Sequence, residues 1–267
     1  MTSEELKELT LSVCEVARRA GSYIRGERER FSLNQVERKH AHDYVSYVDK
    51  GSEERIVGAL KALLPQAGFI TEEGSAGNDG QEMLWVIDPL DGTTNFIHQY
   101  APYAVSIALM GQSGMLLGVV YEICADECFY AWQGGGAYRD GQPIAVSRQR
   151  IEDALLCLQL PYDSEAYKPT AKHFIDTFYG HAASIRMNGS AAMSLCYVAA
   201  GRLDGYAEQY IGLWDFAAGS LIVKEAGGTV TDYAGAPDPS HGNSVVATNG
   251  IIQEDLLKAI AERKRTT

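Results

Sequence analysis

Apolar and polar residues near the start of the chain alternate with the period of an α-helix. Apolar positions recur at helical spacing from Leu6 to Ile24, and Thr2 with Glu5 forms a capping-box pattern just before them. This pattern predicts an amphipathic helix over residues 3–28. A second helix is predicted from about residue 49 or 51 to Leu64, because Pro65 cannot continue it.

The next part of the chain has the pattern of β-strands. Short apolar runs at 69–71 and 84–87 predict two buried strands with a polar loop between them. Five further β-type runs lie between residues 101 and 147 and are joined by short turns rich in glycine. Strands joined by short turns pair antiparallel, so this region is predicted to form a meander.

Helices and strands alternate after residue 150. Gly201 and Gly227 each follow a helical pattern, as glycines that end helices do. The predicted elements are strands at 155–160, 228–230 and 244–248, and helices at 190–200, 214–226 and 252–264. The class is therefore mixed α/β (α+β), with an antiparallel sheet in the N-terminal half and a smaller mixed sheet in the C-terminal half. We expect an N-terminal subdomain over 1–150, with most of the candidate ligands, and a C-terminal subdomain over 151–267.

Composition narrows the class of protein. Of 267 residues, 46% are hydrophobic and 22% charged, which is typical of globular chains. The net charge of −12 argues against a nucleic-acid partner, but it is compatible with a phosphate substrate if a divalent cation is bound. Five scattered cysteines predict free, reduced thiols. Without an apolar N-terminal core or an uninterrupted apolar span, the protein is expected in the cytoplasm, away from membranes.

The segment WVIDPLDGTTNF, residues 85–96, carries the strongest chemical signal. Asp88 and Asp91 lie three residues apart behind an apolar strand, and two such carboxylates repel each other unless a cation lies nearby. Carboxylate and carbonyl oxygens are ligands for Mg²⁺, so the Leu90 carbonyl is a third candidate donor. The ordinary alternative is a plain turn, because Asp, Pro and Gly all favour turns.

The same segment also predicts a local change of structure. Pro89 cannot donate a ladder hydrogen bond, so the strand should end near Asp88. Gly92 permits a tight turn, and Thr93 or Thr94 could cap a short helical turn over 95–99. Backbone N–H groups at such a helix start favour a phosphate group.

Four other acidic residues lie at strand ends or helix starts. Glu72 and Glu73 follow the strand at 69–71, Asp215 begins an apolar helix, and Asp49 precedes another. Each has an ordinary explanation, as a solvated loop, a first-turn acid or a helix cap. Their joint occurrence favours a metal site. A phosphatase with a covalent Asp nucleophile is disfavoured, because that class has D-x-D near the N-terminus and this chain has D-x-x-D near residue 90.

These motifs resemble those of the inositol monophosphatase family. The resemblance rests on DPLDGTTNF at 88–96, the Glu pair at 72–73 and WDFAAGSLIVKEAGG at 214–228. It extends through HDYVSYVD at 42–49, GVVYEI at 118–123, GGGAYRDGQPIAVS at 134–147 and NGSAAMSLCYVAAGRLDGYAE at 188–208. It implies a layered α/β/α/β/α sandwich of the sugar-phosphatase type.

The resemblance also implies a set of metal ligands. Glu72, Asp88 and the Leu90 carbonyl would hold a first Mg²⁺, and Asp88, Asp91 and Asp215 a second. Glu72 would also contact a weaker third ion through water. Two such ions can stabilise the entering and leaving oxygens of a displacement at phosphorus.

The roles of the remaining site residues follow from the same resemblance. Thr93, paired with Asp49, would orient and deprotonate the attacking water on the first metal, beside Glu72. The backbone of Gly92, Thr93 and Thr94 would bind the phosphate. The alcohol side of the substrate, near Asp215, would be lined by Gly189, Ser190, Ala191, Glu208 and Asp91.

The function implied is Mg²⁺-dependent hydrolysis of myo-inositol monophosphate by a lithium-sensitive homodimer, without a covalent intermediate. Fructose 1,6-bisphosphate, histidinol phosphate, 3′-phosphoadenosine 5′-phosphate and NADP are alternative substrates. A non-catalytic regulatory partner is the alternative from another class. Two departures from the family pattern bear on these choices. Thr71 replaces a glycine before the Glu pair, and Gly212-Leu213 stands where relatives that bind inositol often have a histidine.

Overall fold

The computed structural model describes residues 1–31, 36–40, 43–160, 164–238, 240 and 242–262. Its helices are α1 Ser3–Arg28, α2 Tyr47–Leu63, α3 Thr93–Ile97, α4 Ser164–Phe178, α5 Ala191–Ala199, α6 Leu213–Glu225 and α7 Gln253–Glu262. Within those ranges, no helix is both long and apolar enough to cross a membrane. All five cysteines are free thiols.

Within the described ranges, fourteen strands form a hairpin and two larger sheets. The strands are β1 Val36–His40, β2 Asp43–Ser46, β3 Gly68–Thr71, β4 Leu84–Asp91, β5 Ala104–Gly111, β6 Gly114–Glu122, β7 Glu127–Trp132, β8 Ala137–Arg139, β9 Gln142–Pro143, β10 Leu155–Leu158, β11 Ser184–Arg186, β12 Gly205–Gln209, β13 Thr229–Thr231 and β14 Ser244–Thr248. The seven-stranded sheet has the order β3-β4-β5-β6-β7-β8-β9, and the five-stranded sheet has the order β11-β10-β12-β14-β13.

The two sheets and three helical layers form the α/β/α/β/α sandwich. Residues on one face of the first sheet, such as Trp85 and Ile107, pack against α1 and α2. Its other face, with Val86 and Ala108, packs against α5 and α6, which also contact the second sheet. The far face of the second sheet packs against α4 and α7. The middle helices are therefore covered on both sides, and the division into two subdomains at residue 150 stays a prediction.

Most predicted elements are confirmed. Helix α1 has the predicted bounds and the Thr2–Glu5 capping box, and β5 to β8 form the antiparallel meander. The second sheet is mixed, because β10 pairs in parallel with β11 and β12. Gly201 and Gly227 have φ values of 65° and 86°, as expected of residues that end helices.

Several expectations were wrong in detail. The first sheet is mixed as well, because β3 and β4 pair in parallel. Helix α2 begins at Tyr47, since Ser46 caps it with its side chain. Strand β10 ends at Leu158. The last of the five β-type runs, PIAVS at 143–147, is not a strand beyond Pro143, which ends the two-residue strand Gln142–Pro143. The hairpin β1–β2, α4, β11 and β12 were not predicted. Residue 42 of the family motif and residues 263–264 of the last predicted helix lie outside the described residues.

Gly118 allows α6 to lie close to the first sheet. A Cβ atom at this position of β6 would lie 2.6 Å from the Ala218 carbonyl oxygen and 2.9 Å from its Cα. Both are backbone atoms, so the helix itself would have to move. We expect Gly118→Ala to lower the free energy of unfolding by about 1–3 kcal/mol, measured by urea denaturation.

Gly58→Ala is the matched control for that prediction. Gly58 is an exposed position inside α2, and a Cβ atom there would meet nothing within 4 Å. The same substitution should raise stability by about 0.5–1 kcal/mol, because alanine favours the helix over glycine. Equal effects of the two substitutions would contradict the argument from close packing.

Candidate metal centre

Three carboxylates from two elements meet at one end of the first sheet. Asp88 and Asp91 lie at the end of β4, and Asp215 lies in the first turn of α6. One carboxylate oxygen from each lies within 4.8 Å of the others. Glu72 follows β3, beside β4 in the sheet, and its charge is one of those that act on Asp88. The parallel pairing of β3 with β4 therefore brings the fourth acid to the same place.

Strand β4 carries both aspartates because it contains a bulge. The sequence predicted that the strand would end near Asp88, but it continues to Asp91. The pairing with β5 shifts register between Asp88 and Asp91, which removes Pro89 from the ladder. The bulge also lets the Asp88 side chain accept a hydrogen bond of 2.9 Å from the Leu90 N–H.

Burial disfavours the ionised form of these carboxylates. Asp88 is 1% exposed, and burial together with the charges of Glu72, Asp91 and Asp215 raises its pKa well above the ordinary range. Burial and the neighbouring acids raise the pKa of Asp215 in the same way. Among the described residues, no Lys, Arg or His lines the cleft that contains them. Hard oxygen donors without a basic partner are a donor set that fits Mg²⁺.

Asp91 is fixed by the start of α5. Its carboxylate accepts hydrogen bonds from the Ser190 hydroxyl and from the N–H groups of Ala191 and Ala192, the latter two at 3.2 and 2.9 Å. Burial raises its pKa to about 6, and these hydrogen bonds act in the opposite direction. A carboxylate at a helix N-terminus is stabilised in its ionised form. The start of α5 therefore stabilises the negative charge of Asp91.

Thr93 links the acidic cluster to the buried acid Asp49. Its hydroxyl lies 2.9 Å from Asp49 Oδ1 and 3.1 Å from the Leu90 carbonyl oxygen. Asp49 is 1% exposed, and its other oxygen accepts hydrogen bonds from the Ser46 N–H at 2.8 Å and the Ser46 hydroxyl at 2.6 Å. Burial raises the pKa of Asp49, and the hydrogen bonds oppose that rise.

The short helix after the motif differs from its prediction. It spans Thr93–Ile97, and its N-cap is Gly92 in the left-handed conformation. Thr93 was expected as a possible cap, but its hydroxyl is directed to Asp49 and Leu90. The helical turn therefore begins and ends two residues earlier than the predicted 95–99.

The cleft brings together nearly every predicted site residue. Its volume is about 240 Å³. The predicted residues that line it are Glu72, Asp88, Leu90, Asp91, Gly92, Thr93, Thr94, Gly189, Ser190, Ala191, Glu208 and Asp215. Asp49 does not line it and reaches it only through Thr93. Glu208 accepts a hydrogen bond from the Tyr206 hydroxyl, and burial raises its pKa to about 8.

Comparison with known proteins agrees with this arrangement. The inositol monophosphatase family model matches residues 5–265. The chain belongs to the inositol monophosphatase family. The inositol-1-monophosphatase of Mesorhizobium japonicum is 40% identical over 229 residues, which cover 85% of this chain and 86% of that protein. Nus factor SuhB of Salmonella typhimurium is 38% identical over 252 residues, which cover 93% and 94%.

The fold of this inositol monophosphatase family member agrees with solved structures. The structure of the Thermotoga maritima IMPase superposes with a TM-score of 0.88 at 32% identity. The match covers 97% of this chain and 98% of that one. The layered architecture expected from the resemblance is therefore confirmed.

Sequence reasoning missed several residues that support this family site. Buried Glu53 accepts hydrogen bonds of 2.8 Å from the N–H groups of Glu73 and Ser75, which fixes the loop that carries Glu72. The Asn95 side chain donates to the carbonyls of Pro102 and Asn188, each at 2.8 Å. A polar residue on the apolar face of a helix pattern was the available signal for Glu53. No local signal marked Asn95.

Gly92 is the position in this family site where a side chain would do most harm. Its φ is 88°, and a Cβ atom would lie 3.1 Å from the Gly189 oxygen and 3.2 Å from the Pro102 oxygen. We expect Gly92→Ala to displace Thr93 and to lower phosphate release about a hundredfold. Gly80 has the same φ of 88° with nothing within 4 Å, so Gly80→Ala should keep full activity. A loss of similar size in both variants would point to backbone strain alone.

Proposed function

We propose that the protein hydrolyses myo-inositol monophosphate to myo-inositol and phosphate, with Mg²⁺ and without a covalent intermediate. Family membership supports phosphatase activity. The observation that carries the proposal is the group of buried Asp88 and Asp91 with half-buried Asp215, in a cleft whose described lining has no basic side chain. A phosphate could not approach these acids unless cations neutralised them.

The residues that would hold Mg²⁺ are those implied by the resemblance. Glu72, Asp88 and the Leu90 carbonyl would form one site, and Asp88, Asp91 and Asp215 a second, while the third, weaker ion stays a prediction. Bound Mg²⁺ would neutralise phosphate charge and lower the pKa of a water molecule at the site. The backbone of Gly92, Thr93 and Thr94 lines the cleft and would bind the phosphate oxygens.

Thr93 and Asp49 would handle the proton of the attacking water. The Thr93 hydroxyl donates to Asp49 Oδ1, so its oxygen keeps a lone pair that can accept a proton from water. Its own proton then moves to Asp49. Because Ser46 binds the other Asp49 oxygen through two hydrogen bonds, Oδ1 stays directed at Thr93.

Glu208, Asp91 and the segment Gly189–Ala191 would contact the alcohol. Burial raises the pKa of Glu208 to about 8. Its carboxyl group can form hydrogen bonds with a substrate hydroxyl. Such contacts suit a polyol, and they leave fructose 1,6-bisphosphate, histidinol phosphate and the two nucleotide substrates as alternatives for the test.

A panel of phosphate esters tests the proposal. We expect release of phosphate from inositol 1-phosphate in Mg²⁺, at a higher kcat/KM than from fructose 1,6-bisphosphate, histidinol phosphate, 3′-phosphoadenosine 5′-phosphate or NADP. EDTA should abolish the activity, and added Mg²⁺ should restore it. Full activity in EDTA would overturn the metal-dependent mechanism. A higher kcat/KM for another ester of the panel would overturn inositol monophosphate as the proposed substrate.

A regulatory binding role is the second candidate, because several relatives carry the name Nus factor SuhB. A protein with that role alone should release no phosphate from any ester of the panel while the Mg²⁺ site still binds metal. Lithium inhibition and a homodimer stay predictions, which an inhibition curve and light scattering would test.

A further inference from the structure

Tyr210 adopts a backbone conformation that few side chains tolerate. It lies between β12 and α6, and its φ is 67°, in the left-handed region. Its N–H donates to the Asn243 carbonyl oxygen at 2.6 Å, and the Ile211 N–H approaches the same oxygen at 3.3 Å. These contacts fix the turn that leads into the helix of Asp215. Glycine would adopt this conformation at the least cost, so the tyrosine side chain calls for another reason.

Tyr210 lines the cleft, and its ring contacts the ring of Tyr167. The residue lines the cleft together with Glu208 and remains 55% exposed. Its ring meets the ring of Tyr167 edge to face, with centroids 6.3 Å apart. An aromatic side chain held in this way presents an apolar surface to whatever enters the cleft.

Trp214 adds a second aromatic side chain to the same part of the cleft. Gly212 has no side chain, and a Cβ atom there would lie 2.5 Å from the Trp214 indole. The indole therefore lies against Gly212, and both residues line the cleft. This cleft thus combines the aromatic residues Tyr210 and Trp214 with hydrogen-bonding groups that include Glu208.

We propose that Tyr210 selects phosphate esters of a single-ring alcohol over esters of open-chain alcohols. The C–H face of the ring would pack against Tyr210, and the hydroxyl edge would meet Glu208. A cleft of about 240 Å³ has room for a phosphate and one small ring. A flexible chain gains less from a flat aromatic surface because it must be ordered on binding. This inference rests on the proposed phosphatase function.

Kinetics of Tyr210→Gly with a cyclic and an open-chain ester test the inference. We expect KM for inositol 1-phosphate to rise about tenfold with kcat unchanged, because the contact is the same in the ground and transition states. Both constants for glycerol 2-phosphate should stay within about twofold. Tyr210→Phe should behave as the wild type, because it keeps the ring. Tyr179→Ala is the control, since Tyr179 is 80% exposed and does not line the cleft.

The outcomes separate this inference from the proposed function. Equal changes for both esters in Tyr210→Gly would make Tyr210 a purely structural residue and overturn the inference, while phosphatase activity would stand. Loss of selectivity in Tyr210→Phe would overturn it as well, because the hydroxyl and not the ring would matter. A wild-type protein that hydrolyses neither ester in Mg²⁺ would overturn the proposed function, and the inference with it.

Discussion

Asp88→Asn should lower phosphate release by at least about a thousandfold and at the same time stabilise the protein in EDTA. Asp88 is the acid assigned to both proposed Mg²⁺ sites, so its amide would weaken both. In the absence of metal, Asp88 either stays charged beside acids whose oxygens lie within 4.8 Å or takes up a proton on folding, and the substitution removes that cost. Its removal should add about 2 kcal/mol, which raises Tm by roughly 4–8 °C.

Thermal unfolding with and without Mg²⁺ measures both parts of that result. The wild type should gain stability on addition of Mg²⁺, because a ligand of the folded state stabilises it, and Asp88→Asn should gain much less. Asp176→Asn is the control, since Asp176 is an exposed acid on α4. A lower Tm for Asp88→Asn in EDTA would contradict the argument, because it would show that the carboxylate is stabilised by the protein itself.

Thr93→Ala and Asp49→Asn should each lower kcat by about a hundred- to a thousandfold with little change in KM. Both break the path between the Thr93 hydroxyl and Asp49 Oδ1, which are 2.9 Å apart. Because the two residues act as one unit, the double variant should be hardly worse than either single variant. Steady-state kinetics of the three variants at saturating Mg²⁺ makes the comparison.

Thr93→Ser is the conservative partner of that series. It keeps the hydroxyl, so it should retain most of the activity. Losses that multiply in the double variant would mean that Thr93 and Asp49 act independently, which would remove the proposed path for the proton. Unchanged activity in Asp49→Asn would have the same meaning.

The acids of the site could be predicted from the sequence because each lies at the end of a regular element. Asp88 and Asp91 follow an apolar run, and Asp215 opens an apolar helix, so their placement needs only local patterns. The same patterns predicted α1 and the meander. Which acids come together was implied by the family resemblance, since no local pattern shows that β3 pairs in parallel with β4.

Other features depend on contacts between distant segments. The bulge in β4 could not be foreseen, because the apolar pattern ends where Pro89 interrupts the ladder. The support of Asp91 by Ser190 joins positions separated by 99 residues. Tyr210 was missed for a related reason. Its left-handed backbone is held by hydrogen bonds to the carbonyl oxygen of Asn243, on the segment before β14. A tyrosine in the sequence does not predict a left-handed turn.

The middle layer, helices α5 and α6, determines which parts of the site tolerate substitution. Helices α5 and α6 are packed between two sheets and begin next to Ser190 and Asp215. We therefore expect a change of volume inside either helix to displace groups of the acidic cluster Asp88, Asp91 and Asp215. In the connection at 210–212, Tyr210 is exposed, whereas Ile211 packs with this core. We therefore expect substitutions of Tyr210 to change which alcohol is accepted, while the acids of the site stay in place.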